Sequence, residues 1–289
     1  MDVISRLERF ELVASTNDLV TGWLRGGVPE VCVAVADRQS AGRGRLGRTW
    51  QAPAGAALLA SLGFRPTWLG PDRAWRLAAV VALAAADASE HVAGLPDGTI
   101  RLKWPNDLVV AFGADKRALG GAANLAPDRP LDVRKLAGLL GESDGLGGDD
   151  PTVAIGLGLN ADWPAAEFPP ELAAGMTSLR EASGGRPIDR DDLLDAFLDR
   201  MATRVEALRS GYFDLEGWHE RQLTEGRLVR LDPIEGRPEV VRAVGVDGLT
   251  GALLVEDERG RERNVLAGEI HHLRLAPPES GDVPDAVRL

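Results

Sequence analysis

The segment Gly42-Arg43-Gly44-Arg45-Leu46-Gly47-Arg48-Thr49-Trp50 organises the chain, and it lies between two apolar runs, residues 31–36 and 57–64, that predict strands. Its glycines permit tight turns and a close approach of the backbone to a ligand. Arg38 and the three arginines of the segment place four permanent cations in a stretch whose only acid is Asp37. In a chain with net charge −11 this concentration predicts an anion-binding loop, although a solvated basic loop would have the same composition.

Residues 42–49 also read as G-x-x-x-x-G-R-T, which is one substitution away from a phosphate-binding P-loop. That motif needs a lysine where Arg48 stands, and a helix that begins directly after the loop. Residues 50–55 instead lead into the strand predicted at 57–64. The sequence therefore argues against a P-loop.

Length and composition indicate one large domain and a small one, because the chain has 289 residues and is 44% hydrophobic. It contains no apolar run of membrane-spanning length and no signal peptide at residues 1–6, so we expect a cytoplasmic globular protein without a membrane partner. The acidic balance argues against a nucleic-acid partner, and the short stretch before the first helix signal leaves no room for an N-terminal helix-turn-helix domain. A single cysteine, Cys32, excludes internal disulfides and a cysteine-based zinc site.

Hydrophobic periodicity predicts a main part in which strands and helices are mixed. The predicted strands are 7–13, 31–36, 57–64, 134–142 and 152–160, and the predicted helices are 15–25, 75–91, 191–208 and 215–223. A weakly patterned stretch at 111–133 predicts a long connection. After residue 226 the pattern changes and predicts a small barrel of five short strands at 228–231, 240–246, 253–255, 264–266 and 270–275.

Two clusters of polar residues stand where predicted elements begin or turn. Ser15-Thr16-Asn17 opens the first helix, either as a cap alone or as a group that faces a polar ligand. Lys103-Trp104-Pro105-Asn106-Asp107 gathers a cation, an amide and a carboxylate at a bend fixed by proline. A turn in which Asn106 and Asp107 bond their own backbone is the alternative for this second cluster.

Glycines also occur inside the predicted strands 134–142 and 152–160. Strand 134–142 has Lys135 at its start and Gly138 three residues later, and strand 152–160 contains Gly156-x-Gly158-x-Asn160. The G-x-G is not a dinucleotide fingerprint, because the third glycine and the following helix are absent. Since glycine inside a strand lets another group approach the backbone, the pattern predicts a ligand that lies against these strands.

Five blocks in this order resemble the biotin protein ligase family, in its short form without an N-terminal DNA-binding domain. The blocks are Ser15-Thr16-Asn17, Gln39-x-x-Gly42-Arg43-Gly44-Arg45-x-Gly47-Arg48-x-Trp50, Lys103-Trp104-Pro105-Asn106-Asp107, Lys135-Leu136-Ala137-Gly138 and Gly156-x-Gly158-x-Asn160. Each block alone is a weak indication, whereas the ordered set is specific and covers nearly the whole main domain.

The resemblance implies an α+β fold, with a mixed sheet covered by helices in a class II synthetase-like catalytic domain and a small C-terminal SH3-like β-barrel. It implies a biotin- and ATP-binding catalytic domain at residues 1–224, the barrel at 225–277 and a tail at 278–289. It also implies a two-step ligase. Biotin and ATP, with Mg2+, would give biotinyl-5'-AMP and pyrophosphate, after which a lysine of the biotin carboxyl carrier domain of a biotin-dependent carboxylase would take the biotinyl group.

The resemblance further implies roles for individual residues. Lys135, Arg43 and Asp107 would be catalytic, with Asp107 serving Mg2+ or orienting the attacking amine. The biotin-binding residues would be Ser15, Thr16, Asn17, Gln39, Arg43, Gly44, Arg45, Lys135, Gly138 and Gly156. The nucleotide-binding residues would be Arg45, Arg48, Trp50, Lys103, Asn106 and Asn160.

Two positions depart from the family pattern. Because the connection after Asp107 is longer than usual, Lys116 competes with Lys135 as the catalytic lysine, and Lys135 is preferred for the Leu-Ala-Gly-Leu-Leu that follows it. Met176 stands where relatives place an aromatic residue against adenine, which leaves the adenine contact open. The rival functions are a lipoate ligase of the same fold and a non-catalytic carrier-binding homologue. The acidic charge argues against a biotin-responsive repressor. The chain would be a monomer or a homodimer.

Overall fold

A computed structural model gives the fold and describes residues 3–113, 117–120, 131–234, 236–266 and 268–272. Its centre is a seven-stranded sheet in the order β1-β2-β3-β7-β6-β5-β4. The strands are β1 Arg6–Val13, β2 Cys32–Gln39, β3 Ala57–Phe64, β4 Ile100–Lys103, β5 Asp107–Phe112, β6 Asp132–Asp144 and β7 Thr152–Asn160. The β1–β2 pair is parallel and the other five pairs are antiparallel, so the sheet is mixed.

Helices cover both faces of this sheet. They are α1 Thr16–Arg25, α2 Trp75–Ala93, α3 Leu179–Ala182, α4 Arg190–Arg209 and α5 Leu215–Glu220. The long helices α2 and α4 contribute to the main core on one face, and the alanines of α2 let it approach the sheet closely. Helix α1 packs on the other face through Val20 and Leu24, and it begins after Ser15, as predicted. Throughout the described ranges, no helix combines the length and apolar character that a bilayer crossing requires.

A second sheet follows the main one in the chain. It is antiparallel, in the order β11-β10-β9-β8-β12, with strands β8 Leu228–Pro233, β9 Glu239–Val246, β10 Leu253–Glu256, β11 Glu262–Val265 and β12 Gly268–His272. The predicted fold class, a helix-covered mixed sheet followed by a small all-β unit, is confirmed. The ladders of the described residues leave β11 and β12 at the two edges of this sheet. The predicted tail at 278–289 lies outside the described residues.

The long connection predicted at 111–133 is wrong at both ends. Strand β5 runs to Phe112 and strand β6 already begins at Asp132, and the two pair through Ala111 with Val133. The Gly113 N–H donates to the carbonyl of Arg117, and Phe112 forms an antiparallel bridge with Ala118. Pairing with a neighbouring strand has overridden the weak local pattern. Lys116 lies outside the described residues.

The second sheet contacts the first part of the chain through its turn at residues 247–251. The indole of Trp75 donates to the carbonyl of Leu249 at 2.9 Å, and the indole of Trp104 donates to that of Gly251 at 3.1 Å. Gly251 has a positive φ of +70°, and a Cβ there would lie 2.8 Å from the Trp75 ring. The turn is therefore fitted against two tryptophans, one of which directly precedes Pro105.

We expect Cys32 to be unreactive in the folded protein. Its side chain is fully buried against Val20 and Leu24, and burial raises the pKa of its thiol to about 11. At pH 8 only about one thiol in a thousand is then ionised. Dithiobisnitrobenzoate should label the native chain far more slowly than the chain in guanidinium chloride, with Cys32→Ser as the blank. Equal labelling rates would contradict the burial of β2.

Candidate active site

The glycine–arginine segment forms a small ordered hairpin between β2 and β3. The Trp50 N–H donates to the carbonyl of Gly42 at 2.9 Å, and the Gly44 N–H donates to that of Arg48 at 2.7 Å. A Cβ on Gly42 would lie 2.4 Å from the Trp50 carbonyl oxygen, so only glycine fits this closure. At the tip, Leu46 has a left-handed φ of 55° and is 60% exposed. The hairpin, which we call the basic hairpin (residues 42–50), thus presents its side chains from a fixed backbone.

Arg43 is held by two carboxylates that the sequence analysis did not identify. Its guanidinium donates to both oxygens of Asp18, at 3.0 and 2.7 Å, and Nη2 also lies 3.1 Å from both oxygens of Glu142. The hydrogen bond from Arg43 is the main cause that lowers the pKa of Asp18 below its ordinary value. The predicted catalytic role of Arg43 stays a prediction, because here its side chain anchors the basic hairpin to α1 and β6.

The predicted polar cluster at the start of α1 forms a buried hydrogen-bonded network. Gln39 Oε1 accepts from the backbone N–H of Thr16 at 2.7 Å and from its hydroxyl at 3.1 Å. The Ser61 hydroxyl lies 2.7 Å from Thr16 Oγ1 and 2.6 Å from Asn17 Oδ1. Ser15, Thr16 and Asn17 are all at most 4% exposed, and the Ser15 hydroxyl makes no capping bond. The structure therefore brings Thr16, Asn17 and Gln39 together around Ser61, on the α1 face of the sheet.

Lys135 and Asp107 form the second charged pair of this face. Lys135 Nζ lies 2.7 Å from Asp107 Oδ1, and their side chains are 38% and 19% exposed. Lys103 is the register partner of Asp107, and directly opposed residues of an antiparallel pair point to the same face. Arg45 reaches the same corner, where its Nη1 donates to Asn106 Oδ1 at 3.3 Å. Both Asn106 groups are engaged, since Nδ2 donates to the carbonyl of Leu139 at 2.6 Å.

Trp50 lies on the glycines that were predicted to make room for a ligand. A Cβ on Gly158 would be 2.4 Å from the indole ring, and one on Gly138 would be 3.2 Å from it. Lys135 Nζ stands 5.5 Å from the ring centroid, within the range of a cation–π contact. The Trp50 indole nitrogen is buried without a hydrogen-bond partner, which costs free energy. Gly156 instead lies beneath Asn17, whose Oδ1 would be 2.6 Å from a Cβ there.

The segment around Met176 runs alongside Lys135. The Lys135 N–H donates to the carbonyl of Gly175, and the Thr177 N–H donates to that of Lys135. Met176 packs in a small apolar cluster with Trp163 and Phe168, whose rings meet edge to face at 5.6 Å. Asn160, predicted as a nucleotide contact, is 4% exposed and donates to the carbonyl of Thr177 at 2.9 Å. Aromatic surface is thus present beside Met176, supplied by residues of the 163–168 segment.

Most of the predicted site residues therefore border one face of the sheet. Sequence analysis missed Asp18, Ser61 and Glu142 as site residues. Strand alternation could have placed Ser61 and Glu142 on the face of α1, but it does not apply to Asp18, which lies in the first turn of that helix. Among the residues that the structure describes, no group of three His, Cys, Asp or Glu side chains could hold a metal ion. A metal held by the described residues of this face would therefore take at most two such side chains.

A basic hairpin, a lysine–carboxylate pair and a buried amide network thus lie on one face of a mixed sheet. Residues 10–160 match the biotin/lipoate A/B protein ligase family. The chain is 32% identical over 263 residues to a biotin–(acetyl-CoA-carboxylase) ligase of Mycobacterium tuberculosis, covering 90% of this chain and 86% of that protein. The chain belongs to the biotin/lipoate A/B protein ligase family, and within it to the biotin protein ligases.

Other relatives agree with this assignment. The bifunctional ligase/repressor BirA of Escherichia coli is 30% identical over 270 residues, which cover 90% of this chain and 71% of BirA. The structure of the biotin protein ligase from Aquifex aeolicus in complex with biotin and ATP superposes with a TM-score of 0.70 at 25% identity, covering 93% of this chain and 99% of that one. The biotin protein ligase of Leishmania major in complex with biotinyl-5-AMP has the same fold, with a TM-score of 0.57 at 22% identity and coverage of 91% and 99%.

We expect Gly158→Ala to destabilise the fold through Trp50. The added methyl would meet the indole at 2.4 Å, and overpacking of this kind costs about 1–3 kcal/mol. Combining Gly158→Ala with Trp50→Ala should remove most of that cost in a double-mutant cycle of urea unfolding. Gly141→Ala is the matched control, because its neighbour at 3.3 Å is the flexible end of Ile155. Additive effects of the two changes would show that Trp50 does not rest on Gly158.

Proposed function

We propose that this chain catalyses ATP-dependent biotinylation of a biotin carboxyl carrier domain in two steps. The observation that carries the proposal is the meeting of Lys135 with Asp107 beside the basic hairpin, in a family whose relatives include structures with biotin and ATP or with biotinyl-5-AMP. All five sequence blocks contribute to this one face. The lipoate ligase and the non-catalytic homologue remain as outcomes of the test below.

In the first step, the buried amide network binds the polar ureido end of biotin. A ureido group offers two N–H donors and one carbonyl acceptor, and Asn17, Thr16 and Gln39 supply both kinds of partner. These side chains are held by their mutual hydrogen bonds, so little rotamer freedom is lost when biotin binds. The biotin carboxylate is then directed towards Lys135.

The reaction of this step joins two anions. A biotin carboxylate oxygen attacks the α-phosphorus of ATP, a new oxygen–phosphorus bond forms, and the bond to the leaving pyrophosphate breaks. Lys135 offsets the charge of the carboxylate and the α-phosphate, while Arg45, Arg48 and Lys103 contact the phosphates. Fixed cations in a site from which water is excluded stabilise such a transition state far more than they would in water.

Mg2+ fits this site if most of its ligands come from the nucleotide and water and few come from the protein. Magnesium in nucleotide sites takes one or two carboxylates, with the remaining ligands from phosphates and water, and Asp107 provides one such carboxylate beside the proposed phosphate contacts. Bound Mg2+ would neutralise charge on the triphosphate. Because Lys135 already contacts Asp107 Oδ1, this chain would use the same carboxylate to place both cations.

In the second step, the amine of the carrier lysine attacks the carbonyl carbon of biotinyl-5'-AMP. An amide bond forms, the bond between the carbonyl carbon and the phosphate oxygen breaks, AMP leaves with the electron pair, and the nitrogen loses a proton to water. Asp107 would orient the incoming amine through a charge-assisted hydrogen bond. The basic hairpin covers the anhydride and limits its hydrolysis by water.

The direct test is transfer of label to an acceptor. Incubated with ATP, labelled biotin and a biotin carrier domain, the chain should label the carrier only when ATP is present. A carrier whose acceptor lysine is changed to arginine is the control. Labelling with lipoate alone would assign the chain as a lipoate ligase, and binding of the carrier without pyrophosphate release would assign a non-catalytic homologue.

Lys135→Ala should slow biotin-dependent exchange between ATP and pyrophosphate by about one to two orders of magnitude. Each hydrogen bond to a charged group is worth about 1.5–3 kcal/mol, and the exchange reports only the first step. Lys116→Ala is the matched control and should retain the wild-type rate. If instead Lys116→Ala alone abolished exchange, Lys116 would be the catalytic lysine.

A further inference from the structure

One carboxylate without a role in the proposed mechanism stands between the basic hairpin and the amide network. Glu142 lies on β6, with its Oε2 only 2.6 Å from Asn17 Nδ2 and both of its oxygens 3.1 Å from Arg43 Nη2. Arg43 has a second carboxylate partner in Asp18. Glu142 is therefore bonded at once to a residue of the proposed biotin pocket and to a residue of the hairpin.

The hydrogen bonds of Asn17 leave one orientation for its amide. Nδ2 donates to Glu142 and, at 3.4 Å, to the carbonyl of Leu140, while Oδ1 faces the Ser61 hydroxyl at 2.6 Å. A carboxylate accepts and cannot donate, so it holds the NH2 end of the amide on its own side. An amide oxygen has two acceptor positions, and Ser61 occupies one of those on Oδ1, so a ligand N–H would take the other.

The two contacts of Glu142 differ in strength. Asn17 is only 4% exposed, and a short hydrogen bond to a charged group in such surroundings is strong. The Arg43, Asp18 and Glu142 side chains are 39%, 57% and 40% exposed, and ion pairs exposed to that degree contribute little. The orientation of Asn17 should therefore dominate the effect of Glu142, and the hold on the hairpin should be secondary.

We propose that Glu142 is a positioning residue of the ligase reaction, which orients the Asn17 amide towards a ureido N–H and holds Arg43 against β6. The inference rests on the proposed function for its ligand. It assigns Arg43 to anchoring the basic hairpin, so that Arg45, Arg48, Lys103 and Lys135 remain as the cations that face the phosphates. Glu142 thereby couples the position of the basic hairpin to the orientation of Asn17 in the proposed biotin pocket.

Three variants separate the two contacts. Glu142→Ala removes both and should raise the KM for biotin by about tenfold or more, with the KM for ATP changed less than about twofold. Glu142→Gln keeps an acceptor for Asn17 but loses the charge, so its KM for biotin should lie between those of the wild type and the alanine variant. Asp18→Asn removes the charge that pairs with Arg43, leaves the Asn17 contact in place, and should change the KM for biotin less than about threefold.

Limited trypsin digestion without any substrate reports on the hairpin. Glu142→Ala and Asp18→Asn should each speed cleavage after the hairpin arginines by about two- to fivefold, because weaker anchoring populates the open hairpin more often. In an Arg43→Ala background the same two changes should have no further effect on cleavage. Unfolding temperatures of all the variants establish that the comparison is made on folded protein.

An unchanged KM for biotin in folded Glu142→Ala, or equal increases of the KM values for biotin and ATP, would overturn the proposal. If only cleavage increased, Glu142 would anchor the hairpin without orienting Asn17, and the proposal would again fail. A wild-type chain that lacks biotin-dependent pyrophosphate exchange would reject the proposed function itself. The digestion in the Arg43→Ala background would still report, independently, whether Glu142 holds the hairpin.

Discussion

An irregularity in the ladder between β5 and β6 determines which side chains meet in the site. In a regular strand, residues three apart point to opposite faces, so Lys135 and Gly138 should be separated by the sheet. The register pairs Leu108 with Ala137 but Val109 with Lys135, which leaves Leu136 as an extra, fully buried residue. Such a bulge re-aims the side chains on one side of it. Lys135 therefore shares a face with Gly138 and reaches Asp107, whereas a regular strand would direct it into the main core.

Lys135 already has a carboxylate partner in Asp107, and this makes the cation exchangeable. Lys135 is 38% exposed in this pair. Partly exposed pairs stabilise the fold only slightly, so an arriving anion can replace the carboxylate at little cost. The carboxylates nevertheless keep long side chains near their working positions. The chain has a net charge of −11, so many carboxylates elsewhere could attract the cations of the site. Pairing with a nearby carboxylate keeps the cations on one face of the sheet.

The parts of this site that depend on local sequence could be predicted, and the parts that depend on register could not. Glycines and arginines in residues 42–50 predicted a turning, basic loop, because turns and charge are local properties. The bulge at Leu136 follows from pairing with β5, and the placement of Trp50 on Gly158 follows from contact between distant segments. Glu142 looked like an ordinary polar residue near the end of a strand, since its partners lie 99 and 125 positions away in the chain.

The second sheet contacts the bend that carries Asp107. Trp104 is 5% exposed, and its indole donates to Gly251 in the turn at residues 247–251. Trp75 contacts the same turn, so two indoles of the first part hold it at adjacent points. Because Trp104 directly precedes Pro105, any shift of the turn is passed to a backbone with little freedom of its own. Asp107 follows at the end of this bend and is paired with Lys135. The turn of the small sheet thus supports the bend that carries the pair on which the proposed chemistry depends.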